Sequence, residues 1–255
     1  MSGSNRLEHA ALSHEGRVRK NNEDAFCVRA EDGLFLVADG MGGHENGEWA
    51  SAAIADQLRD VALPGDFEEA SHAVAAAMHR ANAVIFAEAQ ARGLQMGSTA
   101  VALLIRGREF AVLWVGDSRC YLHRDGQLVR MSHDHTQVQD MIDRGLLTPE
   151  EGEGHPMSHV LARAMGVRET VEVDVIADEI ESGDVFLLCS DGLMARVEDD
   201  EIEKVLTEPD AAARAQRLIK LTLDRGAPDN VTVITVGIPQ TTLLQLNQPI
   251  HVVAP

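Results

Sequence analysis

Apolar positions along the chain change their period several times, and each change predicts an element. AFCVRA (25–30) and LFLVAD (34–39) are short apolar runs on either side of EDG, and predict two strands joined by a turn. Ala50, Ile54, Leu58 and Val61 then recur at helical spacing and predict a helix over 47–62. Phe67, Ala70, Val74, Met78, Ala81 and Ile85 predict a longer one over 67–92. The pattern returns to strands in STAVALLI (98–105), EFAVLWVGD (109–117) and CYLHRDGQLVRM (120–131), with tight turns at RGRE and RDGQ.

Periodicity fails over 133–168, a stretch with Gly, Pro and four histidines. An irregular excursion of that length inside a domain reads as a functional flap. TVEVDVIA (170–177) and DVFLLCSD (184–191) resume strand character, helices follow near 198–207 and 210–225, and DNVTVITVGI (229–238) is a last strand. No repeat or long linker interrupts this order. It predicts a single domain over 1–240 and a C-terminal tail over 241–255. Tight strand-to-strand turns imply antiparallel pairing, and strands grouped apart from paired helices imply an α+β fold with helices outside two antiparallel sheets.

Charge narrows the function. The chain carries 41 acidic against 22 basic residues, a formal charge of −19. Such a surface repels nucleic-acid phosphates and anionic lipid, so neither nucleic acid nor membrane is expected as a partner. No N-terminal signal segment and no apolar run of membrane-spanning length is visible. Cys27, Cys120 and Cys189 lie in or beside apolar runs without CxxC spacing, as buried reduced thiols of a cytoplasmic protein would. CSDGLMAR does not make a cysteine phosphatase loop: Cys189 and Arg196 are one residue too far apart, and Asp191 would place a negative charge in the anion cradle.

The carboxylates fall at strand ends. Asp39, Asp117 and Asp191 close apolar runs, Asp229 opens the last strand, and Glu23 and Asp24 open an early one. In antiparallel sheets, starts and ends can share one rim, so these six could converge. Crowded carboxylates in low dielectric require compensating cations. An all-oxygen ligand set suits Mg²⁺ or Mn²⁺ rather than zinc, for which HENGE lacks the HExxH spacing. A shared Asp among several carboxylates is the composition of a two-metal site acting on phosphoryl groups. Gly40, Gly42 and Gly43 leave room for backbone near such ions, and Arg19 near Glu23 and Asp24 could clamp a phosphate. No GxxxxGK[ST] exists, against a P-loop nucleotidase.

With these segments in hand, the chain closely resembles the metal-dependent serine/threonine protein phosphatases of type 2C (the PPM family) in their bacterial form. GRVRKNNEDAF, LFLVADGMGGHENGEWAS, GSTAVALLI, LWVGDSRCYLHRDGQL, HPMSHVLARAMG, GDVFLLCSDGL and GAPDNVTVITV occur in family order over 16–238. The resemblance implies a four-layer α-β-β-α sandwich with pairs of helices flanking two antiparallel sheets. It implies two Mn²⁺ or Mg²⁺ ions bridged by Asp39, with Asp191 and Asp229 on one and the Gly40 carbonyl on the other. Glu23 and Asp24 would help through water, Asp117 would share a third, weaker ion with Asp191, and Arg19 would bind phosphate. The implied reaction is hydrolysis of phosphoserine and phosphothreonine in proteins by a metal-activated water. The implied partner is a bacterial serine/threonine kinase whose phosphosites a monomeric enzyme reverses. Many eukaryotic members carry histidine directly after the Asp-Gly pair. Met41 stands there instead, which leaves a metal-bound water or His44 to protonate the leaving group.

Overall fold

Residues 34–38 are apolar without interruption because their strand is covered on both faces. Leu34, Leu36 and Ala38 enter one core, Phe35 and Val37 enter another, and all five are fully buried. The computed structural model describes residues 7–43, 45–152 and 154–239. His44 and the tail expected at 241–255 lie outside them.

One sheet runs, in spatial order, β1 (Glu8–His14), β11 (Val231–Gly237), β10 (Val185–Cys189), β7 (Arg119–Arg124) and β8 (Gln127–Arg130). The other runs β2 (Asp24–Arg29), β3 (Leu34–Met41), β5 (Ala100–Arg106), β6 (Glu109–Val115) and β9 (Asp174–Glu179), with the short β4 (Gly97–Ser98) pairing the end of β3. All these pairs are antiparallel. Helices α1 (Glu45–Asp60) and α2 (Phe67–Arg92) cover the second sheet through Ile54, Leu58, Val74, Met78 and Ile85. Helices α5 (Asp191–Met194), α6 (Asp199–Leu206) and α7 (Ala211–Asp224) cover the first through Leu193, Ile202 and Leu218. Between the sheets, Phe110 packs edge-on against Phe186 at 4.8 Å. Three apolar interfaces thus separate four layers, the α-β-β-α sandwich and α+β class expected above.

Helix α2 begins and ends where its sequence dictates. Asp66 accepts from the Glu69 N–H at 3.1 Å, and Gly93 leaves the helix at φ +65°. Two elements differ from the expectation. Strand β1 was not expected, because EHAALSH carries a single large apolar residue, Leu12; among the described residues it pairs with β11 alone, and as an edge strand it needs little apolar surface. The strand expected at 170–177 runs instead over Asp174–Glu179. Asn82 Nδ2 holds the Arg168 and Glu169 carbonyls at 3.1 and 3.0 Å, and Val171 and Val173 pack on the helix-side core, so the chain reaches the sheet edge only at Asp174.

The segment expected as a flap contains α3 (Gln137–Asp143) and α4 (Pro149–Gly152). Its ends are stitched together by the Thr136–Leu161 bridge, and Met165 bridges to Ser98 beside β3.

Candidate active site

Antiparallel pairing brings the carboxylates to one rim. Asp39, near the end of β3, is the direct cross-strand partner of Asp24, which opens β2. Asp191 follows β10 and Asp229 precedes β11, which are neighbours in the other sheet. Asp117 lies in the connection from β6 to β7, where the chain passes between sheets. Gly116 makes that passage at φ +105°, and a Cβ there would meet the Thr99 side chain at 2.6 Å.

Arg19, Glu23, Asp39, Gly40, Asp117, Asp191 and Asp229 all line one cavity of about 640 Å³. Met41 and residues His159–Ala164 of the overlying segment complete its wall. Of the nine residues singled out from sequence, His44 is not among those described, and Asp24 does not line the cavity. The Asp24 carboxylate is buried behind it, where Oδ2 accepts from Ser190 Oγ (2.8 Å) and Thr232 Oγ1 (2.7 Å), and where, among the described residues, Oδ1 has no hydrogen-bond partner. Asp24 thus holds Ser190, the residue preceding Asp191, and bears on the cavity through its charge on Asp39, its cross-strand partner.

The site's backbone is tightly held. Asp39 N–H donates to Thr99 Oγ1 (3.1 Å), and its carbonyl accepts from Ser98 Oγ (2.8 Å) and Thr99 N–H (2.9 Å). A Cβ on Gly40 would sit 2.1 Å from the Gly47 carbonyl, so the start of α1 can approach β3 only at a glycine. Gly47 in turn leaves space for Glu23 Oε2, 1.9 Å from where its Cβ would be. Asn230 is a residue that sequence reasoning passed over within PDN. Its Oδ1 accepts from Glu23 N–H (2.8 Å), and its Nδ2 donates to the Asn21 (2.9 Å) and Glu15 (3.0 Å) carbonyls. His159 was also passed over; nothing in HPMSH distinguishes the histidine that reaches the cavity.

Electrostatics mark this rim as a place built for positive charge. Burial, and then the neighbouring Asp24, Asp191, Asp117 and Asp229, hold the Asp39 carboxyl well above the usual carboxylate range. Burial likewise pushes Asp117 up to about 7, with Asp191 adding to it. Asp191 is raised by burial and by Asp229, and it stands within hydrogen-bonding reach of Asp39. Two facing carboxyls need a shared proton or a cation. Arg19 Nη2 bonds Asp229 Oδ2 at 2.7 Å at the cavity mouth, which raises the guanidinium pKa further and keeps it charged. Among the described residues, no three His, Cys, Asp or Glu side chains close around a single point as a finished metal cage. The carboxylates instead face a common space, and their all-oxygen character and mutual repulsion fit hard divalent cations.

Residues 13–230, which build this two-sheet sandwich and its carboxylate rim, match the model of the family described as Protein phosphatase 2C. The chain belongs to that family. It is 41% identical over 237 residues to the serine/threonine protein phosphatase PstP of Mycobacterium tuberculosis, covering 91% of this chain and 45% of that protein. The chain thus spans less than half the length of that relative. The structure of PppA from Pseudomonas aeruginosa, described as a key regulatory component of T6SS, superposes with a TM-score of 0.84 at 41% identity, covering 90% of this chain and 96% of that one. A PstP catalytic domain in complex with two manganese ions superposes at 0.80 with 40% identity, covering 92% of this chain and 99% of that one. No helix among the described residues is long and apolar enough to cross a membrane.

Proposed function

We propose that this chain is a metal-dependent serine/threonine protein phosphatase, hydrolysing phosphoserine and phosphothreonine in proteins. One observation carries the reading: Asp39, Asp117, Asp191, Asp229 and Glu23 crowd one open cavity with Arg19 at its mouth. Asp39, Asp191, Asp229 and the Gly40 carbonyl would hold two Mn²⁺ or Mg²⁺ ions, and Asp117 with Asp191 a third. Glu23 would assist through water, with Asp24 orienting Ser190 from behind. Bound there, hard divalent cations would supply positive charge and an acidified water for phosphate-ester hydrolysis at neutral pH.

The chain's own groups do the remaining work. Arg19 is placed to hold equatorial phosphate oxygens and to stabilise their charge as the ester bond lengthens. Thr99 and Ser98 fix the backbone of Asp39, so that its carboxylate does not reorganise during the reaction. Met41 cannot donate a proton, so leaving-group protonation falls to water or a nearby imidazole. His159 lines the cavity close enough to Asp191 to interact with its charge, and joins His44 as a candidate.

The phosphoprotein substrates would come from a cognate bacterial serine/threonine kinase, and we expect a monomer. The three unpaired, buried thiols support a cytoplasmic setting. The direct test is phosphate release from a phosphothreonine peptide by metal-stripped protein titrated with Mn²⁺ and Mg²⁺, alongside Asp191→Ala. Metal-dependent turnover lost in the variant is expected; metal binding without turnover in the wild type would overturn the reading.

A further inference from the structure

His135 lines no part of the cavity, yet four pieces of chain meet at it. Its backbone N–H donates to the Gly116 carbonyl (2.9 Å), and its ring Nδ1 accepts from the Gly116 N–H (3.0 Å). Its own carbonyl accepts from the Ala162 N–H (2.8 Å), at the far end of the segment over the cavity. Nε2 lies 3.3 Å from Asp174 Oδ2, and the other Asp174 oxygen is bonded by Arg163. The residue is 6% exposed, and its ring stacks on Trp114, with 6.2 Å between centroids at 18°. Trp114 Nε1 in turn donates to the His133 carbonyl at 2.8 Å.

The tautomer follows from the partners. A backbone N–H can only donate, so Nδ1 must present its lone pair to Gly116, and the ring proton sits on Nε2 facing the Asp174 carboxylate. Burial, joined by the nearby Arg163, holds the imidazole below its ordinary pKa against the pull of Asp174, which keeps that lone pair free. Gly116 immediately precedes Asp117 and has no slack, since its φ of +105° and its contact with Thr99 admit no side chain.

We propose that His135 is the positioning residue for Asp117: it fixes the turn that aims this carboxylate into the cavity and ties that turn to both ends of the overlying segment. The inference rests on the reading of Asp117 as a cation-binding group. His135 touches no reacting atom and acts through Gly116. Partners of this kind orient a ligand, and their loss is felt as metal affinity. The same residue makes the segment's closure and the carboxylate's aim one mechanical unit, because Gly116, Ala162 and Asp174 all bond to it.

Two substitutions of similar size separate this role from simple packing. In His135→Asn the amide oxygen takes the place of Nδ1 and keeps the Gly116 bond. In His135→Gln the amide reaches toward Asp174 and leaves the Gly116 N–H unpaired. Hydrogen exchange at the Gly116 amide is expected to stay slow in wild type and His135→Asn and to accelerate in His135→Gln. Calorimetric titration with Mn²⁺ should show the weakest site loosened roughly 10–100-fold in His135→Gln alone, the range seen when a ligand's outer partner is lost. Turnover of a phosphothreonine peptide in that variant should recover with excess Mn²⁺. Equal behaviour of the two variants, or an unchanged weakest site in His135→Gln, overturns the proposal. In ¹⁵N-labelled wild type, Nδ1 of His135 should be the unprotonated nitrogen; a proton on Nδ1 overturns the proposal even if a variant fails to fold. Exchange and titration are read without turnover, so a wild type that binds Mn²⁺ but releases no phosphate would count against the phosphatase reading and leave this inference standing.

Discussion

Asp24 and Asp39 stand directly opposite each other on β2 and β3, two carboxylates at a register position where like charges destabilise a sheet. Their environments then diverge. Asp24 turns its carboxylate to the Ser190 and Thr232 hydroxyls, whereas Asp39 lines the cavity. A pair of this kind persists only if protons or cations neutralise it, and that requirement leads to the first expectation.

Without metal, the folded chain should lose stability as pH rises. Burial pushes Asp24 and Asp117 up to about 7 from an ordinary 3.8. An acid with a raised folded-state pKa binds more protons folded than unfolded between those two values, so its contribution is lost as pH climbs through that window. Chelator-treated protein should therefore melt higher at about pH 5 than at about pH 8, and added Mn²⁺ should raise the midpoint more at the higher pH. Asp24→Asn should flatten the metal-free slope, with a gain of a few degrees at about pH 8. A metal-free midpoint that rises with pH over this range would contradict it.

Removing a carboxylate from the cavity should remove turnover while sparing the fold. Asp39→Ala and Asp191→Ala are expected to lower kcat by roughly 10²–10³-fold or more, on the scale of losing a principal transition-state contact. Steady-state kinetics at saturating metal, with circular dichroism as the folding control, checks this. Wild-type turnover in either variant rules the assignment out.

Arg19 should behave differently. It is half-exposed and already paired to Asp229, so Arg19→Ala is expected to raise KM for a phosphopeptide by about tenfold, with a smaller change in kcat. Arg19→Lys should restore only part of this, because a single ammonium cannot make the planar two-pronged contact. Unchanged phosphopeptide kinetics in Arg19→Ala would remove it from the clamp.

Gly40→Ala tests the close approach of α1. Its Cβ would lie 2.1 Å from the Gly47 carbonyl and 2.6 Å from that of Glu23, both backbone atoms that cannot swing aside. A loss of about 1–3 kcal/mol in urea unfolding is expected, with weakened Mn²⁺ binding. Gly65→Ala, where a Cβ meets nothing within 4 Å, serves as the neutral control.

Asn230→Ala should cost about 2–3 kcal/mol, because it strips partners from the Glu23 N–H and from two carbonyls in a position only 5% exposed. Asn230→Asp keeps the acceptor for Glu23 but turns a carboxylate oxygen toward the Asn21 and Glu15 carbonyls beside the carboxylate rim, so it should cost at least as much as Asn230→Ala. Unfolding midpoints of the three proteins decide the order.

Much of this molecule could be read along the chain. Helix α2 begins at Phe67 and ends at Arg92 as its apolar period indicated, and β3 carries Asp39 near its end as the LFLVAD run suggested. Strand β1 escaped notice because an edge strand of Ala, Leu and His is hardly distinguishable from a polar leader. Asp191 was read as ending a strand, but it opens a short helix after Ser190. That turn depends on Gly192 passing beneath the Asn230 carbonyl, a contact with no local sequence signature.

By itself, the sequence determined the element types and the placing of carboxylates at strand ends, because side-chain direction repeats every two or every 3.6 residues and is set within a few neighbours. Tertiary structure alone decided which of those groups meet. Neighbouring residues Glu23 and Asp24 part company, one lining the cavity and the other with its carboxylate buried behind it. Arg19 reaches Asp229 across 210 positions, and His135 gathers Gly116, Ala162 and Asp174 around one imidazole. The physical reason is that hydrogen bonds and charge repulsion act over a few ångströms of space, and only the packed sheets bring those distant stretches of chain within that reach.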